Sequence, residues 1–197
     1  YAVLQVNYRG SGGYGRVFEH AGYGEWGGLM QRDVTDATEW LAKSGRVDAS
    51  SICIMGGSYG AYAALTGAFQ EPDRYRCAIG YAGVYDLPLM FEKGDIQMRN
   101  SGANYLRDTL GEDSDELRRR SPVFNAEKIK AGVFLAHGGL DVRAPPAHAK
   151  RMRKRLVAAG NKPRWMFLDR EGHGFYGAKN REAFYTQVLE FLDEHTN

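Results

Sequence analysis

Five short runs in this chain are apolar almost throughout: Ala2 to Tyr8, Ser51 to Met55, Cys77 to Ala82, Val133 to His137 and Arg164 to Leu168. A strand with one wet face alternates apolar and polar residues, whereas a strand covered on both faces does not. Between the runs, apolar residues recur at helical spacing: Met30, Val34, Ala37 and Leu41; Ala149, Met152, Leu156 and Ala159; Phe184, Val188, Phe191 and His195. Strand and helix therefore alternate. The expected class is α/β, a mostly parallel sheet with helices on both faces and right-handed crossovers. A length of 197 residues suffices for one domain with a substantial core.

Charge and composition exclude several partners. Twenty-six Lys and Arg against 24 Asp and Glu leave a net charge of +2. So even a balance gives no global field for drawing in nucleic acid or an anionic membrane. No apolar run approaches the length of a bilayer span. The two cysteines, Cys53 and Cys77, fall in neighbouring strand-like runs and are expected to be buried free thiols, with a disulfide disfavoured. No Cys/His spacing suits zinc, and a hydrolysis carried by a serine, a histidine and an aspartate, the chemistry considered below, needs neither a metal nor an organic cofactor. The chain opens on Tyr1 and runs straight into a strand pattern, which reads as a piece of a longer protein. Compartment is left open between cytoplasm and periplasm.

The most specific local signal is Met55-Gly56-Gly57-Ser58-Tyr59-Gly60-Ala61. It carries G-x-S-x-G, follows an apolar strand and precedes a helix rich in small residues. A sharp strand-to-helix turn forces its central residue into a strained conformation, and glycine is expected on both sides to avoid collision. The hydroxyl of Ser58 would then stand at the tip of the sheet, at a helix N-terminus that favours negative charge.

A serine nucleophile needs a base, and the base needs an orienting carboxylate. Of five histidines, His20 lies upstream in a glycine-rich loop. His137 ends an apolar strand and reads as structural, while His148 and His195 fall on helical patterns. His173, in Glu171-Gly172-His173-Gly174-Phe175, follows the last strand and can be carried back over the strand tips. For the acid, Asp141 follows the strand ending at His137, at a C-terminal strand end where open α/β sheets place their sites. Asp86 and Asp169 compete, the latter too near His173 in sequence to reach the far side of its ring. The order Ser58, Asp141, His173 is that of α/β-hydrolases.

These stretches, with Asn7-Tyr8-Arg9-Gly10-Ser11, Gly13-Tyr14-Gly15, Ala82-Gly83-Val84-Tyr85-Asp86 and Ser121-Pro122, resemble the catalytic domain of the prolyl oligopeptidase family of serine peptidases, particularly its acylaminoacyl-peptidase and dipeptidyl-peptidase branches. The resemblance implies an α/β-hydrolase fold, of which residues 1–197 would be a partial catalytic domain lacking N-terminal strands and a β-propeller. It implies a triad of Ser58, Asp141 and His173, with the Tyr59 N–H as one oxyanion donor. Tyr59 and Val84 would line the pocket, and Arg143 would contact a substrate carbonyl. The implied substrate is a short peptide cleaved through an acyl-enzyme. A homo-oligomer formed through this domain is the other partner it suggests. The chain departs from the family pattern at Ala144, where a larger pocket residue is common, and at Ala61 after Gly60. If a second oxyanion donor lies outside this stretch, the isolated piece should be a poor catalyst, since losing one donor costs about 10²–10³ in rate.

Rival readings remain. The fold and triad would equally serve a carboxylesterase for small acyl esters, and a non-catalytic interaction module could keep the fold. Gly10-Ser11-Gly12-Gly13-Tyr14-Gly15 matches G-x-G-x-x-G, but the glycines and aromatics that follow do not open a helix as dinucleotide binding requires. Lys150, Arg151, Arg153, Lys154 and Arg155 read as the solvated face of a helix whose Met152 and Leu156 turn inward.

Overall fold

The computed structural model describes residues 1–197. Four of the five apolar runs form strands: β1 (Cys53–Gly57), β2 (Cys77–Tyr81), β3 (Gly132–Gly138) and β4 (Arg164–Leu168). They pair in chain order, all parallel, in the registers Cys53↔Cys77, Ala78↔Val133 and Leu135↔Trp165. Eight helices accompany them: α1 (Arg16–His20), α2 (Leu29–Lys43), α3 (Tyr59–Gln70), α4 (Leu87–Met90), α5 (Asn100–Leu110), α6 (Ser114–Arg120), α7 (Ala147–Ala158) and α8 (Ala178–Thr196).

Successive strand side chains point to opposite faces, and both faces of the inner strands β2 and β3 are covered, whereas on the edge strand β1, expected to be buried, Met55 is 44% exposed. Ala78, Val133 and Leu135 pack with Ala64 and Leu65 of α3 and with Met152 and Leu156 of α7. Ile79, Phe134 and Ala136 pack on the other side with Phe184, Val188 and Phe191 of α8. This double burial is why the strands lack polar alternation. A third cluster joins Tyr62 of α3 to Val84, Leu87, Leu106 and Leu117, so residues 87–120 fold back on the strand tips as a packed wall. On α7 the basic residues face outward while Met152 and Leu156 are buried, and Arg153 lies over the Trp165 ring, 5.0 Å from its centroid.

Three expectations are corrected. Residues 2–8 form no strand and pair with none, and Val3 is 90% exposed. An apolar run becomes a buried strand only beside a neighbour that takes up its backbone hydrogen bonds. Cys53 and Cys77 are joined in a disulfide rather than free, because the β1–β2 register sets them directly opposite on one face with Cα atoms 4.6 Å apart. On α2, the deepest face is Met30, Gln31, Thr35 and Thr38, while Val34, Ala37 and Leu41 are half-buried. The helix is turned so that Gln31 meets Gly67 of α3 and Thr38 approaches the Tyr75 hydroxyl at 3.4 Å.

Candidate active site

Ser58 sits between β1 and α3 with φ 54° and ψ −116°, a left-handed φ that non-glycine residues rarely adopt. Its N–H donates to the Tyr81 carbonyl at 2.8 Å, which ties the turn to β2. Tyr59 opens α3, so its N–H has no carbonyl four residues back inside the helix and is one of the free donors of a helix N-terminus. The glycines on either side are not equivalent. A Cβ on Gly56 would overlap the Gly60 backbone, whereas a Cβ on Gly60 meets nothing within 4 Å. The expectation that both are needed for space therefore holds only for Gly56. Gly56→Ala should destabilise the chain by about 1–3 kcal/mol through overpacking, whereas Gly60→Ala should be neutral or stabilising, as Ala is favoured over Gly within a helix. Denaturant melts of the two variants compare these directly; equal losses would contradict the assignment.

Asp141 and His173 arrive on two loops that are stitched together. Gly139 N–H donates to the Leu168 carbonyl and Leu140 N–H to the Glu171 carbonyl, both at 2.8 Å. A Cβ on Gly138 would strike the Gly172 carbonyl, so only glycine lets the loops cross here. Glu171, which the sequence reading did not single out, anchors the base loop by accepting from Asn180 Nδ2 at 2.6 Å, Tyr176 N–H at 2.9 Å and Gly177 N–H at 3.3 Å. Those bonds, the Asn180 amide foremost, hold its carboxyl below the usual range.

These supports bring Ser58, His173 and Asp141 together at the carboxyl ends of β1, β4 and β3. His173 Nε2 lies 3.0 Å from Ser58 Oγ, and its Nδ1 lies 2.9 and 3.0 Å from the two oxygens of Asp141. Asp141 is buried. Burial alone would raise its carboxyl, but hydrogen bonds from His137 and His173 and from the Ala144 N–H outweigh this and hold it well below the ordinary range. The competing acids are elsewhere. Asp86 caps α4 and meets Arg151 at 2.6 Å, and Asp169 is exposed with its backbone crossing Gly139. His20 stacks on Tyr23, and His195 bonds the Phe191 carbonyl, both away from Ser58.

A cleft of about 520 Å³ opens beside Ser58. Tyr59, Val84, Arg143 and Ala144 line it. Trp26 and Tyr105 complete an aromatic wall, with the Trp26 and Tyr59 rings 4.5 Å apart edge to face. Neither was anticipated, because each comes from a stretch whose periodicity reveals little. Arg143 is 69% exposed at its side chain and lies 3.7 Å from Asp95. No group of His, Cys, Asp and Glu side chains is arranged to hold a metal ion.

A parallel sheet flanked by helices, with a strained serine after a strand and its partners on later strand tips, defines an α/β-hydrolase. The sequence profile of the prolyl oligopeptidase family matches residues 1–197, and the chain belongs to that family. It is 34% identical over 197 residues to dipeptidyl aminopeptidase BIII of Pseudoxanthomonas mexicana, covering 98% of this chain and 28% of that protein. It is 32% identical to dipeptidyl peptidase family member 6 of Caenorhabditis elegans, covering 98% of this chain and 27% of that one. The structure of a Mycobacterium tuberculosis puromycin-hydrolysing peptidase superposes with a TM-score of 0.90 at 26% identity, over 97% of this chain and 29% of the other. The chain thus spans under a third of the length of these relatives.

Proposed function

We propose that this chain supplies the catalytic centre of a serine peptidase that hydrolyses peptide bonds of short peptides. The observation that carries the reading is the unbroken line from Asp141 through His173 to Ser58 Oγ, opening on the cleft. His173 Nε2 takes the hydroxyl proton as Oγ attacks the carbonyl carbon. The Tyr59 N–H faces the oxyanion from the start of α3. His173 then passes the proton to the leaving amine, and the acyl group stays on Oγ. Water repeats the cycle, giving its proton to His173 and its oxygen to the acyl carbon, which releases an acid and restores Ser58. Asp141 fixes the imidazole tautomer and stabilises its charged form. Tyr59 and Val84 contact the residue before the cut, and Arg143 a substrate carbonyl. The relatives named for releasing dipeptides or acylamino acids support a peptide as substrate.

The test compares peptide 4-nitroanilides, with free and with acylated N-termini, against p-nitrophenyl esters in the full-length protein. Amide turnover that disappears in Ser58→Ala supports the peptidase reading. Ester turnover without amide turnover would overturn it in favour of a carboxylesterase.

A further inference from the structure

The sequence assigns His137 a structural place at the end of β3, and the ring is indeed wholly buried. Its surroundings are not those of a core side chain. Nε2 lies 2.8 Å from the Ala144 carbonyl and 3.3 Å from Asp141 Oδ2. A carbonyl only accepts, so Nε2 carries the proton and donates it to Ala144, with the Asp141 carboxylate standing beside the same N–H. The other carboxylate oxygen is held differently. Asp141 Oδ1 accepts from the Arg143 N–H at 3.0 Å and the Ala144 N–H at 2.8 Å. The backbone therefore fixes Oδ1, and the side-chain N–H groups near Oδ2 are those of His173 and His137. The same ring also closes the 141–144 turn by taking its last carbonyl. Both oxygens of the acid are pinned, and the carboxylate cannot rotate about its Cβ–Cγ bond without losing a partner.

We propose that His137 is a positioning residue for catalysis: by closing the 141–144 turn onto the Ala144 carbonyl and standing against Oδ2, its Nε2–H holds the plane of the Asp141 carboxylate so that both oxygens stay on His173 Nδ1. This rests on the serine-hydrolase reading of Ser58 and His173. The charged and titratable groups around it are Asp141 and His173 on the loops above and His148 on α7, with Arg151 and Asp86 beyond. Nδ1 of His137 is buried without a protein partner, so the ring is retained here at a cost in polar burial that an apolar residue would avoid.

The experiment measures the rate of Ser58 labelling by a fluorophosphonate across pH, in the full-length protein and in three variants. His137→Leu removes the donor, His137→Asn keeps polarity but moves the amide toward the Nδ1 position, and His137→Gln returns an N–H near the Nε2 position. With the carboxylate free to turn, the imidazolium is less stabilised. Labelling by the Leu and Asn variants should fall by about tenfold, a fraction of what losing the acid itself costs, and the acidic limb of their profiles should move to lower pH. His137→Gln should restore both to near the parent values. Thermal melts accompany each variant, and where Leu does not fold, the Asn and Gln pair decides alone. Unchanged limbs in Leu and Asn, or a Gln variant no better than Asn, would reduce His137 to a packing residue. Absence of labelling in the parent protein would instead remove the Ser58 reading, and this proposal with it.

Discussion

Ser58→Ala is expected to abolish fluorophosphonate labelling, and Asp141→Asn to lower peptide turnover by about 10⁴-fold while the fold stays intact. The second effect arises from the tautomer. Asp141 accepts from His173 Nδ1, so the free Nε2 lone pair faces Ser58 Oγ. An amide in its place can donate to Nδ1, which moves the ring proton to Nε2 and leaves no base for the hydroxyl. Because the three residues act as a unit, Ser58→Ala combined with His173→Ala should be little worse than either alone. Active-site labelling and steady-state kinetics on the full-length protein test both statements. Persistent labelling of Ser58→Ala would transfer the nucleophile to another residue, and additive losses would mean the groups do not act together.

Acidification is expected to unfold the chain earlier than its carboxylates alone require. His148 on α7 is buried, and its Nδ1 accepts from the Tyr85 and Asp86 N–H groups at 3.3 Å each. Burial, foremost, and the neighbouring His137 and Arg151 hold its pKa down to about 3 from an ordinary 6.5. The unfolded chain therefore binds a proton below 6.5 that the folded chain refuses. Stability should fall by on the order of 1 kcal/mol for each pH unit between 6.5 and about 3. Asp141 has the opposite cause but the same direction. Its depressed carboxyl stabilises the fold above 3.8, and that contribution fades only below this value. His148→Asn offers an oxygen to the same two N–H groups. It should flatten the slope between 6.5 and 3.8 and leave only the carboxylate contribution below 3.8. Denaturant melts from pH 7 to 3 read this, and an unaltered slope in the variant would contradict it.

Much of this was legible in the residues, and for physical reasons. Strands covered on both faces must be apolar throughout, so β2 and β3 are visible for that reason, while β1 and β4 share the pattern though they are only partly covered. G-x-S-x-G between a strand and a helix fixes an elbow, and Gly-His-Gly after the last strand places a ring over the strand tips. What escaped depended on neighbours rather than on composition. The run from Ala2 to Tyr8 has the same chemistry as β3, but pairing is a property of two segments, and one segment does not state it. Cys53 and Cys77 could be placed in adjacent strands, yet only the register puts them opposite on one face. Three apolar residues before His137 state its burial and say nothing of what the ring faces, the Ala144 carbonyl and Asp141. Gly60 looked as constrained as Gly56 because the motif is symmetric, while the chain at the turn is not.

The two hydrogen bonds that bind the acid loop to the base loop, Gly139 to Leu168 and Leu140 to Glu171, have a bearing on how this centre can move. Asp141 and His173 ride on what is in effect one clamped body, whereas Ser58 belongs to the β1–α3 corner. Tyr81 of β2 joins the two, its carbonyl accepting from the Ser58 N–H and its hydroxyl from the Phe175 N–H, so one residue sets the gap that the hydroxyl and the imidazole must close.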